Sequence, residues 1–84
     1  MKTITVRYFA SIREAIGAAQ EVVETDATTL GGLRDELIAR GGAHAASLAH
    51  GKAVRIALDQ TLTDEWADLP TTAEVAFFPP VTGG

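Results

Sequence analysis

The sequence contains no cysteine among its 84 residues. This absence excludes disulfide bonds, thiolate metal ligands and cysteine nucleophiles. If the protein handles sulfur, the sulfur must therefore be attached to a group other than a side-chain thiol. The sequence also lacks any apolar run approaching the ~20 residues that cross a bilayer, so we expect no membrane partner.

Positive charge is scarce as well, with seven Lys and Arg residues against eleven Asp and Glu residues and a formal net charge of −4. Nucleic-acid-binding domains need clustered Lys and Arg, so this balance argues against a nucleic-acid partner. The first residues lead into an alternating pattern without the apolar stretch of a signal peptide. We therefore expect a cytoplasmic protein.

A chain of 84 residues provides one hydrophobic core and no second lobe, so we expect a single domain spanning residues 1–84. A deep catalytic cleft is not expected at this size. The two histidines, His44 and His50, are six residues apart, a spacing that does not place both on one face of a helix. No metal site is therefore predicted.

Apolar residues alternate, or recur at helical spacing, along most of the chain. Alternation predicts strands at residues 2–9, 20–25, 54–58 and 74–78. Helical spacing predicts a short helix at 11–16, one long helix that starts at Leu30 and is ended by Gly41 and Gly42, and further helical turns within 44–50. This order indicates an α+β domain in which the helices cover one face of a sheet.

Several residues are suited to the ends of these helices. Ser11 is the expected N-cap of the short helix and Gly17 its C-terminal stop, while residues 26–29 supply capping side chains for the long helix. Gly31 and Gly32 follow in its first turn, although glycine costs ~1 kcal/mol there relative to alanine. The sequence offers no reason for them.

Residues 61–72 show no regular period and are predicted to be irregular. Leu62, Trp66 and Leu69 are the expected anchors of this segment against the body of the domain. The acidic residues around Trp66 are interpreted as solvated charge that flanks a packed ring; they are Asp64, Glu65 and Asp68.

The last six residues, 79–84, are expected to form a flexible tail. Pro79 and Pro80 cannot continue a strand, because proline lacks the N–H group and fixes φ near −65°. Gly83 and Gly84 lack a Cβ and can enter a slot too narrow for other residues. A terminal carboxylate on Gly84 would be an anion near neutral pH, able to attack the α-phosphate of a nucleotide.

Phe77 and Phe78 precede this tail and must point to opposite faces of their strand. One ring is expected in the core beneath the long helix. The other ring, together with Pro79 and Pro80, is either a contact for a partner protein or is covered by the segment 61–72.

The run EVAFFPPVTGG at residues 74–84 resembles the end of the MoaD-like sulfur carriers, the small subunits of molybdopterin synthase in the MoaD/ThiS family. Residues 6–10 resemble the beginning of the same family, as do Arg13, Glu14 and Gly17. The sequence departs from the family at residues 72–74, where Gly-Asp-Glu is common, and at Asp59 and Gln60, where Asn is common.

The resemblance implies a β-grasp, ubiquitin-like fold with a mixed sheet and one long helix packed on one face. It also implies that a ubiquitin-activating-type adenylyltransferase uses ATP to adenylate Gly84, which is then converted to a thiocarboxylate. The tail next enters the large subunit of molybdopterin synthase and donates sulfur to cyclic pyranopterin monophosphate. The family assembles as a heterotetramer, and its small subunit binds no cofactor and contributes no catalytic side chain.

The resemblance assigns the chemistry to Gly84 and the threading of the tail to Gly83. It assigns partner binding to Phe77, Phe78, Pro79, Pro80, Val81, Thr82 and Arg13. From the residues alone, Arg13 and Glu14 are equally compatible with a helix surface that binds nothing.

Three alternatives share the fold and the diglycine. The chain could be a carrier for the sulfur of thiamine thiazole, cysteine or thiolated tRNA, although such carriers generally lack the double proline. It could be a protein modifier whose Gly84 is joined to lysines, or an interaction module whose tail is inert.

Overall fold

The computed structural model describes residues 1–80, which form five strands and three short helices. In chain order the elements are β1 (Lys2–Tyr8), α1 (Ala10–Ile16), β2 (Gln20–Thr25), α2 (Leu30–Ile38), α3 (Gly42–Leu48), β3 (Arg55–Leu58), β4 (Thr61–Thr63) and β5 (Thr72–Phe78). Within residues 1–80, no helix is long and apolar enough to cross a bilayer.

The five strands form one mixed sheet in the order β2-β1-β5-β3-β4. The central strands β1 and β5 are parallel, and the other neighbouring pairs are antiparallel. β1 and β2 form an antiparallel ribbon, with α1 in the connection between them. The α+β class predicted from the residue pattern and the mixed sheet implied by the resemblance are thus confirmed.

The hydrophobic core lies between one face of the sheet and the three helices. Alternation along β1 directs Ile4, Val6 and Tyr8 into the core, as predicted. The helices contribute Ile12, Leu30, Leu33, Leu37 and Leu48. Each such side chain stabilises the fold by ~1.5–3 kcal/mol when it is buried, so the apolar face of the sheet is the one that the helices cover.

The helical layer is divided as the sequence predicts, although its second helix is shorter than expected. α2 has nine residues and ends at Ile38, and α3 is a separate helix of seven residues. Gly41 and Gly42 have φ values of 75° and 55°, and they lead into α3. The short helix and the helical turns within 44–50 that the sequence predicted are therefore both present, and α2 is the long helix of the prediction, ended before Gly41 and Gly42.

The helix ends confirm part of the predicted capping. Gly17 ends α1 with a φ of 85°, and the Thr29 hydroxyl caps α2 by accepting a hydrogen bond from the Gly32 N–H at 3.1 Å. The expectation for Ser11 is wrong, because α1 begins at Ala10 and its N-cap is Phe9, which makes no side-chain cap.

β4 lies within the segment that was predicted to be irregular. It pairs with β3 through a two-residue turn at Asp59 and Gln60, whose φ values are 47° and 70°. Two successive positive φ values are those of a type I′ turn, whose twist matches that of a hairpin. The Asp59 carboxylate also accepts a hydrogen bond from the Glu74 N–H at 2.9 Å, which links the turn to β5.

Arg34 joins α2 to the end of α3 and to the segment that follows β4. Its guanidinium is buried and donates to the main-chain oxygens of Leu48 at 2.7 Å and Ala49 at 2.9 Å. A third hydrogen bond, of 3.0 Å, reaches the Glu65 carboxylate. Because its donors are paired, the guanidinium is stable in the interior and holds these three parts of the chain together.

The segment after β4 also accounts for Gly31. The N–H of Gly31 donates to the main-chain oxygen of Glu65 at 2.9 Å, and the N–H of Leu30 donates to the main-chain oxygen of Ala67 at 3.0 Å. These bonds satisfy two donors that the start of a helix leaves free. A Cβ on Gly31 would lie 3.1 Å from both the Cβ and the oxygen of Glu65, so the close approach of this segment favours glycine.

The three residues expected to anchor this segment have different surroundings. Leu69 is buried, as predicted, whereas Leu62 is 61% exposed and Trp66 is 85% exposed. Leu62 pairs with Ala57 across the β3–β4 ladder, so it stands on the sheet face away from the helices. The prediction of packed side chains at Leu62 and Trp66 is therefore wrong.

We predict that Arg34→Met lowers the free energy of unfolding by about 2–4 kcal/mol, because it removes the donors for two main-chain oxygens and leaves Glu65 without its cation. Urea denaturation followed by circular dichroism measures the loss. Arg55→Met is the matched control, since Arg55 is exposed. Equal losses in the two variants would contradict the role given to Arg34.

Candidate functional site

The sheet face away from the helices is open, and it leads to the point where the chain leaves β5. Alternate residues of the three adjoining strands contribute its side chains; they are Arg7, Ala57, Glu74, Ala76 and Phe78. With Phe9, Ala10, Gln60, Pro79 and Pro80 they line an open groove of about 700 Å³. We refer to it as the sheet-face groove.

Phe77 and Phe78 lie on opposite faces of β5, as predicted. Phe77 is fully buried, and its ring lies 6.4 Å from that of Tyr8 in a stacked arrangement. Phe78 is half-buried and lines the sheet-face groove. Of the two rings assigned to partner binding, only Phe78 is therefore at the surface.

The segment 61–72 does not cover Phe78. The main-chain oxygens of residues 65 and 67 instead accept hydrogen bonds from the start of α2. The N–H of Leu69 donates to the main-chain oxygen of Thr28 at 2.9 Å. Of the two alternatives for the outer ring, the structure thus favours an uncovered surface. The contact with a partner stays a prediction.

Arg7, Phe9 and Glu74 form a polar margin along the groove. The Arg7 guanidinium carbon lies 5.1 Å from the centre of the Phe9 ring, and its Nη1 atom lies 3.7 Å from a Glu74 oxygen. Ion pairs this exposed contribute ~0–1 kcal/mol to stability, so the arrangement adds little to folding. Apolar walls with a polar margin are typical of protein interfaces.

No role was predicted for Arg7, Glu74 or Gln60 from the sequence. A signal for Arg7 was nevertheless present, because the alternation of β1 places Arg7 and Phe9 on the face opposite Val6 and Tyr8. The proximity of Gln60 depends on the pairing of β3 with β5, which a local pattern does not reveal.

Pro79 and Pro80 follow the last residue of β5 and line the end of the groove. The predicted exit of the chain from the sheet after Phe78 is confirmed. Val81, Thr82, Gly83 and Gly84 lie outside the described residues. The roles predicted for them, including the chemistry of Gly84, stay predictions.

Arg13 lies on α1 and is exposed. It lines a separate, shallow depression together with Glu14, Gly17 and Ala19. It is not among the groove-lining residues of the described chain, so a partner that contacts both Arg13 and Phe78 must extend from the sheet face to α1. Its partner contact stays a prediction.

Titratable side chains cluster around Glu21 at the sheet edge. Its carboxylate accepts a hydrogen bond from the Tyr8 hydroxyl at 2.7 Å and one from Arg40, and it lies 3.0 Å from His44 Nε2. The cluster connects β2 to the helical layer. Within residues 1–80, no group of three or more His, Asp and Glu side chains is arranged to hold a metal ion.

The surroundings of Glu21 and Tyr8 shift their pKa values in opposite directions. Partial burial acts to raise the pKa of Glu21, but hydrogen bonds with His44, Arg40 and Tyr8 outweigh it and lower the pKa to about 2. Burial, followed by the hydrogen bond and charge of Glu21, raises the pKa of Tyr8. The ionised Glu21 is therefore part of the folded structure.

Comparison with known families adds to this geometry. Residues 6–84 match the model of the ThiS family. A protein of Escherichia coli K12 named molybdopterin synthase sulfur carrier subunit is 41% identical over 96% of this chain and 99% of its own length. A protein of the same name from Haemophilus influenzae is 38% identical over the same shares.

Solved structures show the same fold. Subunits 1 and 2 of the molybdopterin-converting factor of Helicobacter pylori were solved as a complex, and the matching chain has a TM-score of 0.67 and 26% identity over 98% of this chain and 99% of its own. Small archaeal modifier protein 1 of Haloferax volcanii has a TM-score of 0.77 and 21% identity, over 96% of this chain and 100% of its own. The β-grasp, ubiquitin-like fold is thus confirmed.

We predict that acid weakens the fold through Glu21. A carboxyl group whose pKa is lower in the folded state than in the unfolded state contributes stability above its unfolded value. This contribution is present above pH 4.5 and is lost as the pH falls toward 2. Urea denaturation at several pH values in this range measures the free energy of unfolding. Its slope against pH should be smaller for Glu21→Gln than for the parent chain.

Glu24→Gln is the matched control, because Glu24 is an exposed carboxylate on the same strand. It should leave the slope unchanged. A Glu21→Gln variant with the full slope of the parent would show that other carboxylates carry the acid sensitivity.

Proposed function

This chain belongs to the ThiS family, and from that premise we propose that it is the sulfur-carrier subunit of a molybdopterin synthase. The observation that carries the proposal is the similarity, at 38–41% identity over 96% of the chain, to two proteins named as such carriers. The diglycine at Gly83 and Gly84 supplies the group that the function requires. The absence of cysteine excludes a carrier thiol on a side chain.

In the proposed reaction, a carboxylate oxygen of Gly84 attacks the α-phosphate of ATP, and pyrophosphate leaves. The product is a mixed anhydride with a reactive carbonyl carbon. Sulfur at the oxidation level of hydrosulfide then attacks this carbon and AMP leaves, so that a thiocarboxylate remains on Gly84. In the large subunit, the thiocarboxylate sulfur then attacks a carbon of cyclic pyranopterin monophosphate and displaces an oxygen leaving group. Water cleaves the resulting thioester, so that the sulfur stays on the pterin and the Gly84 carboxylate is regenerated.

The proposed partner surface for the large subunit is the sheet-face groove. Phe78 and Pro80 give the groove an apolar wall, and Arg7 and Glu74 give it a polar margin. Because the groove ends at the start of the tail, docking here would direct residues 81–84 into the partner. The complex of subunits 1 and 2 in the Helicobacter pylori factor supports this type of assembly.

The proposal includes two further expectations. The catalytic side chains belong to the large subunit, and two carriers join two large subunits in a cytoplasmic heterotetramer. A ubiquitin-activating-type adenylyltransferase performs the reaction with ATP. The adenylyltransferase and the large subunit bind the same short tail, so they act on the carrier in succession.

The other carrier roles and the modifier role differ from the proposal in a measurable way. Rescue of a strain that lacks its molybdopterin carrier, without rescue of one that lacks its thiazole carrier, favours the proposal. Conjugates of higher mass that resist thiol reductants would support a protein modifier instead.

We predict that incubation with ATP, the adenylyltransferase and a sulfur donor replaces one oxygen of Gly84 by sulfur. Mass spectrometry of the intact chain and of its C-terminal peptide detects the change. The matched control is the chain extended by one alanine after Gly84, which keeps the body intact and moves the carboxylate away from the diglycine. No sulfur on the parent chain, with an adenylyltransferase shown to be active, would refute the carrier function.

We predict that Phe78→Asp weakens binding of the large subunit from the same organism by about 30-fold or more, because buried aromatic anchors contribute ~2 kcal/mol or more to interfaces. Isothermal titration calorimetry measures the affinity. Val22→Asp is the matched control, since Val22 is exposed on β2 of the same sheet and does not line the groove. Equal weakening by both variants would contradict docking at the groove.

A further inference from the structure

A second groove begins where the chain leaves β5, on the side of the sheet that the helices cover. It lies between α1 and α3 and has a volume of about 360 Å³. Pro79 lines both this groove, which we call the helix groove, and the sheet-face groove. We propose that the helix groove binds residues 81–84 of the same chain, with the carboxylate of Gly84 beside the Lys52 ammonium group.

The register of the sheet directs the end of β5 past the helix groove. Arg55 of β3 pairs with Phe78 of β5 in an antiparallel ladder. If this register is continued by three positions, Lys52 comes opposite residue 81. Lys52 and Val54 both line the helix groove together with Pro79, as this continuation requires. The tail is therefore expected to begin beside the groove.

Alternation along the extended chain favours the same side of the sheet. Phe78 and Pro80 line the sheet-face groove and not the helix groove, whereas Pro79, which lies between them, also lines the helix groove. Val81 is the next residue in phase with Pro79. Its side chain is therefore expected on the helix side, where Ile12 of α1 supplies an apolar contact.

The charges of the two grooves also favour the helix groove for an anion. Lys52 is the only charged residue among the described residues that line it. Lys52 is exposed, and it forms no ion pair with any residue that the structure describes. In the sheet-face groove, by contrast, Arg7 already lies against Glu74. A carboxylate on Gly84 is therefore attracted more strongly toward Lys52.

The short length of the tail suits a contact within one molecule. The four residues after Pro80 span at most about 13 Å, and the groove begins at Pro79. Because the chain joins the tail to the groove, their effective concentration is in the millimolar range, so that even a weak contact is populated. The main chain at Lys52 is held by a hydrogen bond of 2.8 Å from its N–H to the Ala49 oxygen.

A tail bound in the helix groove leaves the sheet-face groove free. Under the proposed function, a partner could therefore dock on the sheet face first and then draw the tail away from the body. That consequence rests on the proposed function, whereas the contact itself does not. The contact needs only the carboxylate of Gly84 and the charge of Lys52.

The experiment detects the contact by nuclear magnetic resonance in the isotope-labelled chain of 84 residues. Nuclear Overhauser effects (NOEs) should connect the Val81 methyl groups to those of Ala15 and Ala46, because both alanines line the groove. Lys52→Gln should weaken these NOEs about two-fold or more, because an exposed ion pair is lost. Lys52→Arg keeps the positive charge and should retain most of their intensity.

Arg55→Gln is the matched control for Lys52→Gln. Arg55 is an exposed cation close to the exit of the chain, but it does not line the helix groove. Its replacement removes the same charge and should leave the NOEs unchanged. Thermal unfolding confirms that each variant is folded.

The carboxylate is tested by preparing the chain with a C-terminal carboxamide on Gly84. This chain should lose the same NOE intensity as Lys52→Gln. Because both changes remove one ion pair, their combination should cause no further loss.

Several results would overturn the inference. They are the absence of NOEs between Val81 and the helix groove, full intensities in Lys52→Gln or in the carboxamide, and an equal loss in Arg55→Gln. NOEs from Val81 to Ala57 or Ala76 instead would place the tail on the sheet face. NOEs that arise only between labelled and unlabelled chains would assign the groove to the tail of a second copy. None of these results tests sulfur transfer, which the mass of the Gly84 peptide measures separately.

Discussion

The central position of β5 is the constraint on which the rest of the structure depends. Its seven residues pair with β1 on one side and with β3 on the other, so two ladders fix its register. Because side chains alternate, a shift of one residue would exchange Phe77 and Phe78 between the core and the groove. The same register sets the place where Pro79 leaves the sheet. The core, the sheet-face groove and the exit of the chain from the sheet therefore share one determinant.

Local patterns predicted the parts of the fold that depend on local physics. Alternation located β1, β2 and β5, because one face of each strand must be apolar. The stop at Gly17 followed from its ability to adopt positive φ, and the cap at Thr29 from its hydroxyl. In the sheet-face groove, the sequence identified Phe78, Pro79 and Pro80 because they are adjacent to the tail.

The features that the sequence did not reveal depend on contacts between distant residues. Arginine is usually found at the protein surface. Arg34 is stable in the interior only because Leu48, Ala49 and Glu65 supply hydrogen-bond acceptors from two other parts of the chain. Trp66 follows Glu65 directly and is 85% exposed, which no local pattern of the sequence indicated. An apolar side chain in an irregular segment carries no local signal of whether it is buried.

The division between a rigid body and a short tail has an energetic reason under the proposed function. Ordering a residue costs ~1–2 kcal/mol of backbone entropy, and glycine loses more than any other residue. The tail therefore gains little from its own contacts with a partner and must be held there by the docking of the body. Pro79 and Pro80 lower the cost further, because their φ angles are already fixed before binding. A longer or more glycine-rich tail would need a larger docking surface than the sheet-face groove provides.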